Sequence, residues 1–309
     1  MNSCCKGKWI SFVLIFWALF LASEGFSQVV IGTVGAGPYT PGSTIAATFT
    51  IGTSSCMATN NRFELYLSDA SGSFAAEKLI GTYTGFYTTY INGLIPAGTP
   101  AGTNYQLRVK STSPALVSAP SAPFEIRAGA AVEAKLTSPY LNASNTETFG
   151  TCSSRPNNDF FLTNESTATS TVNATITDEG TGGITTNVSF TTPNQSFTAQ
   201  QTHYTIFTKA VMPNGTVATK AYLLINNKAI TAFGTSGNNL VCLPLGQLEF
   251  NVDVTSTSGI QNNFPGDLYT ITWGDGETTI YTLCDIIQNG GKVSHAYQTS
   301  SCGRTSTTS

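Results

Sequence analysis

YTIFTKAVMPNGTVATKAYLLI, residues 204–225, reads as two strands joined by a tight turn. Residues 204–211 and 217–225 are rich in β-branched and aromatic side chains, which suit a pleated, half-buried surface. MPNGT at 212–216 places Asn214-Gly215 in a hairpin turn, because both residues tolerate the positive φ that such turns require. The same reading extends upstream to strands over 172–177 and 184–190, all within a second β region from 128 to 239. Residues 138–171 are polar and fit either a long loop or strands interrupted by Asn and Ser.

Outward from this hairpin the chain stays extended. Between Gln28 and Arg127, Ile45, Ala47, Phe49 and Ile51 alternate, as do Phe63, Leu65 and Leu67, then Leu107 and Val109 after Tyr105. A period of two predicts one buried and one wet face for each run. TPGST at 40–44, SDASGS at 68–73 and IPAGTPAGTN at 95–104 supply the turns. About seven strands in this span fit two packed sheets. AGAAVEAK at 128–135 either links units or begins the next strand. A third unit, 240–309, holds strands over 248–255, 268–273, 278–283 and 292–297, with Gly274-Asp275-Gly276 as a tight turn. It is either an open small sheet or a truncated unit. The expected fold class is all-β, with tandem sandwiches.

Composition points the same way. Charged residues make up 10 % of the 309-residue chain, with 29 Gly and 13 Pro, so Thr, Ser, Asn and Gln must supply the polar surface. Residues 1–27 carry basic Lys6 and Lys8, an apolar run from Trp9 to Ala22, and small Gly25 and Ser27 before Gln28, the pattern of a secretion signal. The run is shorter than the roughly 20 residues a bilayer needs, and no second long apolar run follows. Without residues 1–27, which hold Lys6, Lys8 and Glu24, 12 of 14 basic and 16 of 17 acidic side chains remain, a formal charge of −4. Such a weak negative field does not collect phosphates, so nucleic acid is not an expected partner. The expected location is outside the cell or on its surface.

Cys4 and Cys5 leave with the signal, and Cys56, Cys152, Cys242, Cys284 and Cys302 remain. Export permits disulfides, and an odd count leaves one thiol over. Cys284 and Cys302 flank the last strand pair and are the favoured bridge. Cys152 with Cys242 comes second, and Cys56 is either unpaired and buried or bridged to a neighbouring loop.

YTITWGDGETTIYTL followed by VSHAY resembles the polycystic-kidney-disease-type (PKD) β-sandwich, which carries an aromatic-x-GDG turn and a later His-x-Tyr strand. The match covers about 241–309; Ile271 and Thr272 stand where the family has a second aromatic and an Asp, the mark of a divergent member. The resemblance makes Trp273, Gly274, Asp275, Gly276, His295 and Tyr297 a fold motif and gives His295 a structural role. Residues 30–127, through YTPGSTIAATFTI, RFELYLSDASGSF and IPAGTPAGTNYQLRVKST, are similar to an immunoglobulin-like repeat of large secreted surface proteins of the Bacteroidetes, some of them associated with gliding motility. That similarity implies surface display or adhesion. The sorting domain such proteins bear at their C-terminus is not found, which suggests a fragment or a divergent protein.

Chemistry finds few footholds. His203 and His295 are the only histidines; neither lies beside a nucleophile in sequence, and a surface or strand-end place is expected for His203. No C-x2-C spacing offers zinc a site. Asp267, Asp275, Glu277 and Asp285 form the one local acidic cluster, and calcium would need about six to eight oxygens from it. The expectation is Asp275 as a turn residue and no cofactor, with a stabilising calcium ion as the alternative. Sequons at Asn142, Asn164, Asn173, Asn187, Asn194 and Asn214 would coat the middle unit in a eukaryotic pathway and arise by chance in a bacterial one. Phe86, Tyr87 and Tyr90 either form a carbohydrate-stacking platform or divide between the core and a neighbouring domain. The expected function is a non-catalytic structural or adhesive module whose partners are surface glycans or proteins, with a carbohydrate-binding module as the alternative.

Overall fold

The computed structural model describes residues 29–52, 56–142, 145–151, 158–199, 202–226, 233–235, 247–252 and 266–298. The signal segment, Cys152, Cys242, Cys302 and the expected boundary at 239 lie outside them.

The first unit holds β1 (Val29–Val34), β2 (Thr44–Ile51), β3 (Arg62–Leu67), β4 (Lys78–Thr84), β5 (Tyr90–Leu94), β6 (Gly102–Tyr105), β7 (Leu107–Thr112), β8 (Ala115–Val117) and β9 (Phe124–Ile126). They form sheets ordered β1-β2-β5 and β4-β3-β7-β8, with the pair β6-β9 adding Tyr105, Phe124 and Ile126 to the same core. The alternating residues do what period two requires: Ile45, Ala47, Phe49, Phe63, Leu65, Leu67, Leu107 and Val109 are all buried in one core. In the SDASGS turn, Asp69 Oδ1 accepts from the Ser71 and Ser73 amides and the Ser71 hydroxyl. Those bonds hold its carboxyl below the usual range, the Ser71 hydroxyl contributing most. Gly81 lets β4 approach β5 closely, since a Cβ there would sit 2.1 Å from the Asn92 carbonyl oxygen.

The second unit holds β10 (Leu136–Thr137), β11 (Leu141–Asn142), β12 (Asn145–Thr151), β13 (Asn158–Asn164), β14 (Thr171–Asp178), β15 (Ile184–Ser189), β16 (Asn194–Ala199), β17 (Tyr204–Val211) and β18 (Val217–Asn226). A three-stranded sheet, β10-β13-β16, faces a six-stranded one, β11-β12-β18-β17-β14-β15. The quoted hairpin is β17–β18, paired from Tyr204↔Leu224 to Val211↔Val217, with Gly215 at φ +83°. Within the polar stretch 138–171, Leu141–Asn142, Asn145–Thr151 and Asn158–Asn164 are strands. Its sparse apolar residues Phe149, Phe160 and Leu162 reach the core, where Phe149 stacks on Tyr222 at 5.1 Å and touches Phe160 at 5.8 Å.

The third unit holds β19 (Phe233–Thr235), β20 (Leu248–Val252), β21 (Leu268–Thr272), β22 (Thr278–Thr282), α1 (Leu283–Gln288) and β23 (Lys292–His295). A sheet β19-β20-β23 and the hairpin β21-β22 enclose Val252, Trp273, Leu283, Ile286 and Val293. Helix α1 corrects the strand expected to run on to Leu283. Thr282 accepts from the Asp285 amide while the Asp285 carboxylate accepts from Thr282, a capping box that stops the strand and starts the helix.

Candidate functional site

Two arrangements hold the singled-out residues, one in the third unit and one between the first two. In the third, Gly274 and Gly276 take φ of +83° and +99°, dihedrals that disfavour side chains. They turn the chain so that Trp273 N–H reaches the Glu277 carbonyl and Asp275 Oδ1 accepts the Glu277 amide. The other carboxylate oxygen lies 2.7 Å from His295 Nε2. His295 stacks on Trp273 at 4.8 Å and meets Tyr297 edge-on at 4.6 Å. Tyr297 Oη donates to the Trp273 carbonyl and Trp273 Nε1 donates to Thr279 Oγ1. Every polar atom of this cluster named here is spent on a neighbour within the unit, so the geometry locks the turn and presents no free nucleophile.

The His295 hydrogen bond, then the Glu277 amide, hold the Asp275 carboxyl below the usual carboxylate range. A depressed folded-state pKa contributes stability above the unfolded value, lost as pH falls through the folded one. The expected result is that the third unit loosens below the ordinary carboxylate range, near pH ~4, read as a shift in Trp273 fluorescence. Asp275→Asn is expected to abolish that pH step.

The four acids that a calcium ion would need do not form a metal-holding group. Asp285 caps α1, Asp275 faces His295, and among the described residues no three acidic, His or Cys side chains form a metal-holding group. His203 is at the strand end expected, directly before β17, but is buried rather than on the surface.

The second arrangement is the seam where the β1-β2-β5 sheet meets β17 and β18. Ala46 and Tyr90 of the first unit are buried against Ala221 and Leu223 of the second, with Phe207 and Ile225 at their border. Ala46 therefore corrects the expectation of a wet outer face on β2: a neighbouring unit covers it. Alanine opposite alanine lets the backbones come close enough for side chains to complete each other's ladders. The β1–β2 register shifts between Ile31 and Val34, and Thr219 Oγ1 accepts the Ala46 amide at 2.9 Å while bonding the Tyr39 hydroxyl at 3.2 Å. Asn92 acts as a substitute peptide, donating to the Ala221 carbonyl and accepting the Ala221 amide, both at 2.8 Å. Thr89 and Thr205 hydroxyls meet at 2.5 Å. The AGAAVEAK segment is tied in as well, with Val132 N–H on Ser43 Oγ and Ala134 N–H on Thr44 Oγ1.

Phe86, Tyr87 and Tyr90 do not form an exposed platform. Phe86 packs on the first core. Tyr90 is 2 % exposed, donates to the Glu147 carbonyl at 2.7 Å, and has its hydroxyl pKa raised well above the usual value by burial. Tyr87 is half-buried and close enough to feel Glu179 of the second unit. Of the sequon asparagines, Asn173 and Asn187 are exposed on β14 and β15, their carboxamide oxygens accepting from Ser189 and Thr175.

The bridge expected between Cys284 and Cys302 is replaced. Cys284 on α1 is bonded to Cys56 of the first unit, with Cα atoms 5.4 Å apart and a sequence separation of 228. A thiol makes one disulfide, and the fold brings Cys56 to α1 across a recess shared by Ser113, Pro114, Asp285 and Gln288. Spacing in sequence carries no trace of this approach.

No family model matches the chain, and no curated protein matches it. Among solved structures it is similar to the chicken CNTN1 FN1-FN3 domains, at 11 % identity over 64 % of this chain and 65 % of that one, with a TM-score of 0.25. It is also similar to fibronectin(III)-like modules of Clostridium thermocellum CbhA, at 12 % identity over 64 % and 93 %, with a TM-score of 0.23. A tetra-tandem repeat in the extending region of a large adhesion protein gives 16 % identity over 89 % and 67 %, with a TM-score of 0.25. The chain thus spans just under two thirds of the chicken structure. The all-β, multi-sheet architecture rests on the chain's own strands.

Proposed function

We propose that the chain is an extracellular structural and adhesive module, a non-catalytic body that holds a recognition surface at a fixed orientation. The observation that carries this reading is the seam. A flexible string of domains meets through small polar contacts, whereas here Ala46, Tyr90, Ala221 and Leu223 are buried and Thr219 and Asn92 satisfy backbone groups across the junction. A spacer that transmits orientation needs such a joint. The low charge and abundant hydroxyls keep its exterior hydrated without a strong field. The secretion-signal pattern of residues 1–27 and the resemblance of residues 30–127 to repeats of secreted Bacteroidetes surface proteins support an outer location and an adhesive role. Among the described residues no helix is long and apolar enough to cross a membrane.

Backbone 15N relaxation on the chain starting at Gln28 tests the joint. The expected result is one common correlation time for β1–β9 and β10–β18. Two separate, faster correlation times would show independent beads and overturn the rigid-module reading.

A further inference from the structure

The seam leaves one recess open beside it, of about 500 Å³, and we propose that this recess is a binding site for a neutral saccharide. The proposal rests on the adhesive reading above and names its ligand class. The first unit gives one wall, with Val30 and Thr33 from β1 and Thr50 from β2; the second gives the floor, with Thr175 and Thr177 from β14, Phe207 from β17, and Glu179. Each unit supplies half, so the site exists only while the joint is closed.

Its chemistry selects by exclusion first. Among the described residues that line it there is no Lys, Arg or His, and the single ionisable group is Glu179. Phosphates, sulfates and carboxylates would meet a like charge with nothing to offset it. What remains suits a polyol. Threonine hydroxyls both donate and accept, which matches sugar hydroxyls that must do the same. Val30, 45 % exposed, and Ile184, 64 % exposed, stand with the half-buried Phe207 ring as the apolar surface that the C–H face of a pyranose covers. Pockets of this size commonly pair such surface with a few placed polar groups.

The polar centre is already positioned. Thr89 of the first unit bonds Thr205 of the second, and Thr205 and Glu179 line the recess together, where burial raises the Glu179 carboxyl above its usual range. A carboxylate has about four lone-pair directions, so Glu179 can accept from sugar hydroxyls in the recess. This location differs from the Phe86, Tyr87 and Tyr90 group, whose rings are used in packing.

Titration of the full chain with neutral tetrasaccharides of glucose, mannose, galactose and N-acetylglucosamine, with a sulfated analogue alongside, tests the site. The expected result is binding of at least one neutral sugar with amide shifts at Thr33, Thr177 and Phe207, and weaker binding of the sulfated form. Glu179→Gln is expected to raise Kd about tenfold, the loss of one charged acceptor. Should that variant not fold, Thr50→Val, an exposed change on the opposite wall, is expected to weaken binding severalfold. No shift with any neutral sugar at millimolar concentration, equal binding of the sulfated form, or unchanged affinity in the folded variants would overturn the assignment. A common correlation time with no sugar bound would remove the saccharide site alone and leave the rigid module standing.

Discussion

Cys284→Ser is expected to release the third unit from the first and to lower the melting midpoint of the third unit by at least about 15 °C. The bond between Cys56 and Cys284 spans a sequence separation of 228. Under the chain-entropy treatment a tie over that separation restricts the fully denatured chain by about 5 kcal/mol, and by somewhat less when the third unit melts with the sandwiches folded. Among the described residues the third unit has the least to set against that loss: five buried residues, Val252, Trp273, Leu283, Ile286 and Val293, bordered by partly buried hydrophobic residues, whereas each sandwich buries a far larger cluster. Removing the tie should therefore be felt where the core is smallest. In a chain starting at Gln28 the only tryptophan is Trp273, so its fluorescence reports this unit alone. Cys56→Ser should reproduce the effect, and reduction of the native chain with a dithiol should approach it. A third unit that melts unchanged in both variants would show that packing, not the bond, holds it.

Tyr90→Ala is expected to cost about 3 kcal/mol, within the usual range for truncating a buried aromatic, and to loosen the seam rather than either core. The ring is buried between Ala221 and Leu223 of the second unit, and its hydroxyl is the donor to the Glu147 carbonyl. Truncation removes apolar contact and leaves that carbonyl short of a partner. The informative signature is where the loss falls. Resonances of Phe63 and Leu65 inside the first sandwich, and of Phe160 and Leu162 inside the second, should hold their positions, while those of Ala46, Ala221 and Leu223 broaden or shift. Equilibrium unfolding should change from one transition for both sandwiches to two. Were Tyr90 instead an exposed ring for stacking a ligand, the substitution would leave stability within about 0.5 kcal/mol.

Much of this fold is legible in the amino-acid order because most strands bury one face in their own unit. Ile45, Ala47 and Phe49 alternate for that reason, and so do Phe63, Leu65 and Leu67. The same rule misplaces Ala46, since alternation reports the face toward a strand's own core and is silent about a second unit laid over the other face. The strands within 138–171 are hidden because three separated apolar anchors, Phe149, Phe160 and Leu162, suffice when Phe197 of the three-stranded sheet and Tyr204 and Tyr222 of the six-stranded one fill the same core. Helix α1 is concealed by composition. TTIYTLCDII is one apolar, β-branched run, and only the Thr282-to-Asp285 spacing of a capping box marks the change of state. The GDG turn is legible because left-handed dihedrals demand glycine, yet the stacking of Trp273 on His295 needs residues distant in sequence to be brought together. The Cys56–Cys284 bond and the recess beside Glu179 are least legible, since both arise between units.

A rigid module requires the seam to be closed in solution, and hydrogen exchange at two amides measures that directly. Ala46 N–H donates to Thr219 Oγ1 and Ala221 N–H donates to Asn92 Oδ1, so each depends on a side chain of the other unit. If the joint is rigid, both amides exchange as slowly as the β17–β18 ladder amides around them. Exchange of Ala46 and Ala221 at the rate of exposed loop amides, with the ladder still protected, would contradict it.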